Sequence, residues 1–168
     1  MTERSPAPGG LALVEALVNT LDIESGADAL DTVEGRARFG IAPEETDRAR
    51  ELRESLRATL LAHAGHPPHR AVTPLGELLA AAPLVVTVDT ADGSAALAPA
   101  DDRCLHARVA AAVAESLVTG AWSRLKACEA ADCHWAYYDR SPAGRGRWCS
   151  MQVCGARAKM RRYRAKEG

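Results

Sequence analysis

Nowhere in its 168 residues does the chain hold the unbroken apolar run of about 18 to 20 that spans a bilayer, and no lipidation signal is visible. No membrane partner is therefore expected. The opening segment Met1 to Gly10 has no apolar core of signal-peptide length, so the expected compartment is the reducing cytoplasm. A glycine-rich phosphate loop, a Gly-x-Ser-x-Gly elbow, a His-Glu-x-x-His pair and an acid pair placed for glycoside chemistry are all missing, which leaves an enzyme the less favoured reading. No Gly/Ser-rich linker divides the chain. Aromatic residues number only seven, and five of them, Trp135, Tyr137, Tyr138, Trp148 and Tyr163, fall in the last 34 residues. Rings gathered in that way suit a small segment with little core of its own.

The net charge is only −1, but that total hides a division. Residues 1 to 119 carry ten basic and eighteen acidic side chains, a balance of −8, and residues 120 to 168 carry eleven basic and four acidic, a balance of +7. Asymmetry of this kind suggests a polyanion-binding module on an acidic body. Two competing causes would give the same asymmetry: cations offsetting a metal-thiolate centre, and docking of the basic part on the acidic body itself.

Within the basic part, Cys128-x4-Cys133 is followed after fifteen residues by Cys149-x4-Cys154. Two spaced pairs read as four thiolates on one structural Zn²⁺, with each pair spanning a tight knuckle. The alternatives are two disulfides or free structural thiols. The interval from His134 to Asp139 and from Ser141 to Gly146 reads as a strand, a turn and a return strand, the layout of a zinc ribbon. A site closed by four cysteines leaves no coordination position for a catalytic water. The fifth cysteine, Cys104, reads as a small buried hydrophobe.

The remaining pattern is α+β: a mostly helical N-terminal domain with a small β-hairpin, then the C-terminal zinc ribbon and a closing helix. A mobile leader is expected over residues 1–9. Leu11, Val14, Leu17, Val18 and Leu21 follow helical spacing. A second, shorter helix is expected within Asp28 to Phe39, with Leu30, Val33, Ala37 and Phe39 as its inward candidates and Gly40 and Pro43 breaking it, and a third from Pro43 to His63, with Leu52, Leu56, Leu60 and Leu61 buried. The third helix's arginines at 48, 50, 53 and 57 alternate with acids and read as a solvated, ion-paired face. His63, His66 and His69 tempt a metal reading, but Gly65 and two prolines break the helix that would align them, and a flexible loop is expected. Thr73 to Ala82 reads as a short helix capped by Thr73, and Leu84 to Asp89 with Ser94 to Ala98 as a hairpin turning on Asp92-Gly93. A long helix is expected from Asp101 or Asp102 to about Lys126, running directly into Cys128, with Leu105, Val109, Val113, Leu117, Trp122 and Leu125 inward. The last helix, Cys154 to Lys166, has Ser150 as its cap and exposes cations along both edges.

Cys128-Glu-Ala-Ala-Asp-Cys133, Tyr138-Asp-Arg-Ser141, Arg147-Trp-Cys-Ser150 and the run Cys154 to Arg164 closely resemble the CGNR zinc finger. Leu17-Val-Asn-Thr-Leu-Asp22 resembles the opening helix of the ABATE domain that usually precedes that finger. The resemblance implies a stress-linked transcription regulator with a DNA-binding finger, and domains at 10–126 (ABATE-like) and 127–168 (finger). Two positions depart from the family pattern. Ala156 stands where the naming motif has asparagine, and Ala16 stands where the first helix usually carries an acid.

Three functional readings follow. In the first, Zn²⁺ held by Cys128, Cys133, Cys149 and Cys154 supports a DNA surface of Arg140, Arg145, Arg147, Arg157, Lys159, Arg161, Arg162 and Arg164. A homodimer that doubles the contacts is part of that expectation. Trp135 and Tyr138 could stack on bases, but a core role beside the metal is favoured for Trp135 and Trp148. In the second, the finger is an adaptor for an acidic protein. In the third, the body binds a small-molecule effector or substrate through Asn19, Arg36 or His106, although each also has a routine structural reading.

Overall fold

The computed structural model describes residues 5–167. Its axis is α3, Thr46–His63, in which every residue from Leu52 to Ala58 is buried, charged ones included. Around it stand α1 (Leu11–Val18), α4 (Leu75–Leu79) and the strand β3 (Leu125–Ala127). Leu11, Val14, Leu17 and Val18 of α1 and Leu52, Leu56, Leu60 and Leu61 of α3 are the expected inward sets, and all lie at or below 1 % exposure. α1 also packs on α5 (Leu105–Val118). Its first residues come so near that a Cβ on Gly10 would lie 2.8 Å from Ala112 Cβ.

The boundaries differ from expectation where side chains cap the backbone. α1 stops at Val18 instead of Leu21, because the chain turns at Asn19 and Leu21 bridges to Asp28. The shorter helix expected within Asp28 to Phe39 is present and is preceded by a separate 3₁₀ turn. Asp28 accepts from Leu30 N and starts a 3₁₀ turn, Ala29–Asp31; Thr32 accepts from Gly35 N and starts α2, Val33–Ala37. Two caps four residues apart rotate the faces, and Val33, expected inward, is 68 % exposed. The stretch Pro43–Glu45 is a 3₁₀ turn that leads into α3. α4 is shorter than expected, and Thr73 does not cap it: its hydroxyl is bonded to Glu51 Oε1 at 2.6 Å.

The hairpin of β1 (Leu84–Val88) and β2 (Ala95–Pro99) forms as expected, antiparallel with Val86 opposite Leu97. Gly93, at φ +74°, supplies the left-handed turn residue. The long helix does not reach Cys128. α5 ends where Gly120 (φ +69°) donates to Leu117 O and Ala121 donates to Ser116 O, a Schellman closure. Leu117 is left 60 % exposed, and a 3₁₀ turn over Trp122–Arg124 leads into β3. β3 pairs antiparallel with β4 (Ala136–Tyr138), Ala127 opposite Ala136. The return strand expected at 141–146 is therefore not β4's partner; that loop is folded around Asp139 instead.

Leu125, Ala127 and Ala136 belong to the same buried cluster as α1, α3 and α5, so the hairpin carrying the first cysteine pair is rooted in the main core. Of the leader expected at 1–9, residues 1–4 lie outside the described residues. Ala7 is buried, and its amide donates to Glu15 Oε2 at 2.6 Å. Among the described residues no helix is long and apolar enough to cross a membrane.

Candidate metal centre

The four cysteines are brought together by two different local devices. β3 delivers Cys128 directly, and the chain then tightens: Cys133 N and His134 N both donate to Ala130 O, and His134 takes a left-handed φ of +47°. In the second knuckle the Ser150 hydroxyl accepts from Val153 N and caps a wide π-type turn, Met151–Gly155, which carries Cys154; Gly155 N closes back on Ser150 O. The last helix, α6 (Ala156–Glu167), continues from that turn. The four Sγ atoms all lie within 4.8 Å of one another.

The contacts Cys133 Sγ to Cys149 Sγ at 3.6 Å and Cys149 Sγ to Cys154 Sγ at 3.7 Å are far too long for a disulfide bond of about 2 Å. They match the edge of about 3.8 Å expected for a tetrahedron with metal–sulfur bonds of about 2.3 Å. The donor chemistry agrees. With only protons available, hydrogen bonds from Cys133 and Cys149 hold Cys128 down to about 2. The bond to Cys128 pushes Cys133 up to about 12, bonds to Cys128 and Cys133 raise Cys149, and burial raises Cys154. One thiolate can thus be stabilised without metal, whereas four require a dication. The set fits one structural zinc ion, which would supply on the order of 10 to 16 kcal/mol of folding energy and offers no open position for substrate.

Arg57 ties this centre to the body. It is fully buried on α3, donates to His134 O at 2.9 Å and to Val18 O at 2.8 Å, and pairs through Nε with Glu54 Oε2 at 3.2 Å. Glu54 also receives Arg53 Nε at 2.8 Å and His69 Nε2 at 2.9 Å, and Arg53 reaches Asp28 Oδ2 at 2.7 Å. Residues 53 and 57, expected on a solvated face, are therefore buried, because α3 is enclosed on all sides through its middle. A second buried pair braces the finger: Lys126 Nζ meets Asp139 Oδ2 at 3.0 Å, while Ser141 N and Gly146 N donate to the same carboxylate. A Cβ on Gly146 would sit 3.0 Å from that carboxylate, so the approach depends on glycine.

The three candidate small-molecule contacts do not line one common pocket among those described. Asn19 bonds both backbone groups of Ala136. Arg36 Nη1 donates to Leu30 O and Asp31 O. His106 borders a cavity of about 40 Å³ beside Glu45 and Arg48, which neither Asn19 nor Arg36 lines. His63, His66 and His69 face three different groups, Leu125 O at 2.8 Å, Glu129 at 3.3 Å and Glu54 at 2.9 Å, and do not converge on one metal site. Cys104, expected buried, is exposed.

The basic side chains divide into two sets. Arg140 donates to Ser5 O and Pro6 O and lies over the Tyr138 ring, Arg147 binds both oxygens of Glu129, and Arg157 meets Glu24 at 3.1 Å and Asp132 at 3.9 Å. Arg145, Lys159, Arg161, Arg162 and Arg164 are exposed and form no ion pair among the described residues. Trp148 packs against the cysteines as expected, but Trp135 is 37 % exposed and outside that cluster. The sequence reading missed Arg57, Glu54, Lys126 and Asp139. Their only signal was position, since Arg57 and Glu54 lie among the helix's leucines and Lys126 lies between Leu125 and Ala127.

No curated protein matches the chain. Residues 124–167 match the CGNR zinc finger, and residues 11–120 match ABATE, whose description reads "Putative stress-induced transcription regulator". With the second match spanning well over half of its length, the chain belongs to the ABATE family and ends in a CGNR zinc finger.

Proposed function

We propose that this protein is a DNA-binding transcription regulator, in which residues 127–168 contact the nucleic acid and residues 10–126 sense a signal or dimerise. The observation that carries this reading is the set Arg145, Lys159, Arg161, Arg162 and Arg164: exposed cations without ion partners among the described residues, four of them on a helix that starts at the metal knuckle. Phosphate contacts need several Lys or Arg on such a frame, and the acidic body would keep the rest of the molecule away from DNA. A cavity of about 40 Å³ at His106 is small beside the roughly 300 to 1,000 Å³ of ordinary ligand sites. Fluorescence anisotropy with a labelled duplex tests the reading. Zinc-loaded protein should bind, and the double variant Arg161→Ala, Arg164→Ala should bind at least tenfold more weakly; equal affinity for the two would overturn it.

A second reading, docking on an acidic protein, has its own support. Arg147 with Glu129 and Arg157 with Glu24 show finger cations already taking carboxylates. Recovery of an acidic protein without nucleic acid on zinc-loaded bait would favour it.

A further inference from the structure

Helix α6 is opposed by its own charges. It carries Arg157, Lys159, Arg161, Arg162, Arg164 and Lys166, and helical spacing sets them against one another. Arg157 lies four residues before Arg161 and Arg162 four before Lys166; Lys159 lies three before Arg162 and Arg161 three before Arg164. Like charges at these spacings destabilise a helix. The first turn holds no acidic residue, so Lys159 stands near the positive end of the helix dipole without an ion partner among the described residues, and only Arg157 is offset, by Glu24 and Asp132.

Packing contributes little in return. From Ala156 to Lys166 only Ala158 is half-buried, with Met160 at 52 % and Tyr163 at 59 % exposure. Among the described residues α6 makes its main contact with the turn Met151–Gly155 before it, and its near side, Ala158, Arg161 and Arg162, borders an open groove shared with Glu129, Asp132 and Trp148. Arg157 tethers the first turn to Glu24 and Asp132. Twelve residues without a buried apolar face make a marginal helix in water, since most helical stability in proteins comes from packing.

We infer that α6 is helical only when a polyanion lies along it: from Ala158 onward the segment is coil in the free, zinc-loaded protein and takes up the observed helix when phosphates neutralise its cations. The inference rests on the DNA reading for the identity of the polyanion and adds that binding and folding of α6 are one event. Charge complementarity selects this occupant over an apolar partner, because six cations and two half-exposed apolar side chains give such a partner little to cover.

The test uses the full zinc-loaded chain, with backbone NMR shifts of residues 158–166 read alone, with a 20-base-pair duplex, and with inorganic polyphosphate. Coil shifts alone and helical shifts with duplex are the expected result. Helical shifts in the free protein, or coil shifts in a complex that anisotropy shows to be formed, would overturn the inference. Should the duplex not bind, the DNA reading fails by itself and polyphosphate decides: a gain of helix supports the inference, and no gain refutes it. Ala165→Gly adds an affinity readout, since Ala165 is exposed and the change alters helix propensity alone. Coupled folding predicts duplex binding weaker by about fivefold, and unchanged binding would contradict it.

Discussion

The side chain of Asn19 takes hold of both backbone groups of Ala136: its Oδ1 accepts the amide at 2.7 Å and its Nδ2 donates to the carbonyl at 3.0 Å. One asparagine at the end of α1 thereby does for β4 what a neighbouring strand would do. Ala136 is 1 % exposed, so water cannot replace these bonds. Asn19→Ala should destabilise the zinc-loaded protein by about 2 to 3 kcal/mol, because a buried amide and carbonyl lose their partners. Asn19→Asp, which keeps the acceptor, should lie between the variant and the parent. Urea midpoints check both, and an unchanged midpoint for Asn19→Ala would remove this link between finger and body.

Glu54 is the common partner of Arg53, Arg57 and His69, and its side chain is 5 % exposed. Glu54→Ala leaves Arg57 buried without a carboxylate, an arrangement that typically costs about 3 to 5 kcal/mol. Thermal unfolding at saturating zinc measures this. A loss below about 1 kcal/mol would mean that the carbonyls of Val18 and His134 suffice for Arg57.

Stability should fall with acidification in two stages. His63 and His69 are lowered chiefly by burial, so the unfolded chain takes protons first and stability drops as the pH falls below about 6.5. Burial would raise Glu54 and Asp139, but Arg57 and Arg53 around the first, and Ser141, Lys126 and Gly146 around the second, outweigh it and hold both carboxyls below the usual range. Their contribution is present above about pH 4 and is lost as the pH falls through the folded values. Urea midpoints between pH 8 and 3 at saturating zinc should show both stages, with the first flattened by His69→Gln. A constant midpoint from pH 8 to 5 would contradict the histidine assignment.

The zinc ligands were legible from spacing alone, because a knuckle must bring two sulfurs within reach of one ion. The apolar stripes of α1 and α3 were legible for the same kind of reason: the helical period places Leu17 and Leu56 inward whatever surrounds them. What could not be read was which polar side chains the fold would enclose. Arg57 and Arg50 occupy one helix in a similar local sequence, and only the arrival of β3 and the first knuckle against α3 makes the former fully buried and leaves the latter partly exposed. The long helix was overextended across Gly120, whose role as a C-terminal cap depends on a backbone closure that composition does not announce. Asn19 was visible as a polar residue at a helix end, but its partner lies 117 residues away.

Because Leu125, Ala127 and Ala136 sit in the main core, metal loss should reach the body. A structural zinc contributes on the order of 10 kcal/mol or more, comparable to the whole stability of a domain, about 5 to 15 kcal/mol. Chelation at neutral pH should therefore lower the unfolding temperature of the entire chain in one transition, as should Cys133→Ser. A body that melts unchanged beside an unfolded finger would show the two to be independent.

The salt dependence of duplex binding tests the regulator reading most directly. Each phosphate neutralised contributes a slope of about −0.9 in log affinity against log salt. If Arg145, Lys159, Arg161, Arg162 and Arg164 make the contacts, the zinc-loaded chain should show a slope near −4, and the Arg161→Ala, Arg164→Ala variant should lose about two units of it. A slope near zero, or one that both proteins share, would contradict the account.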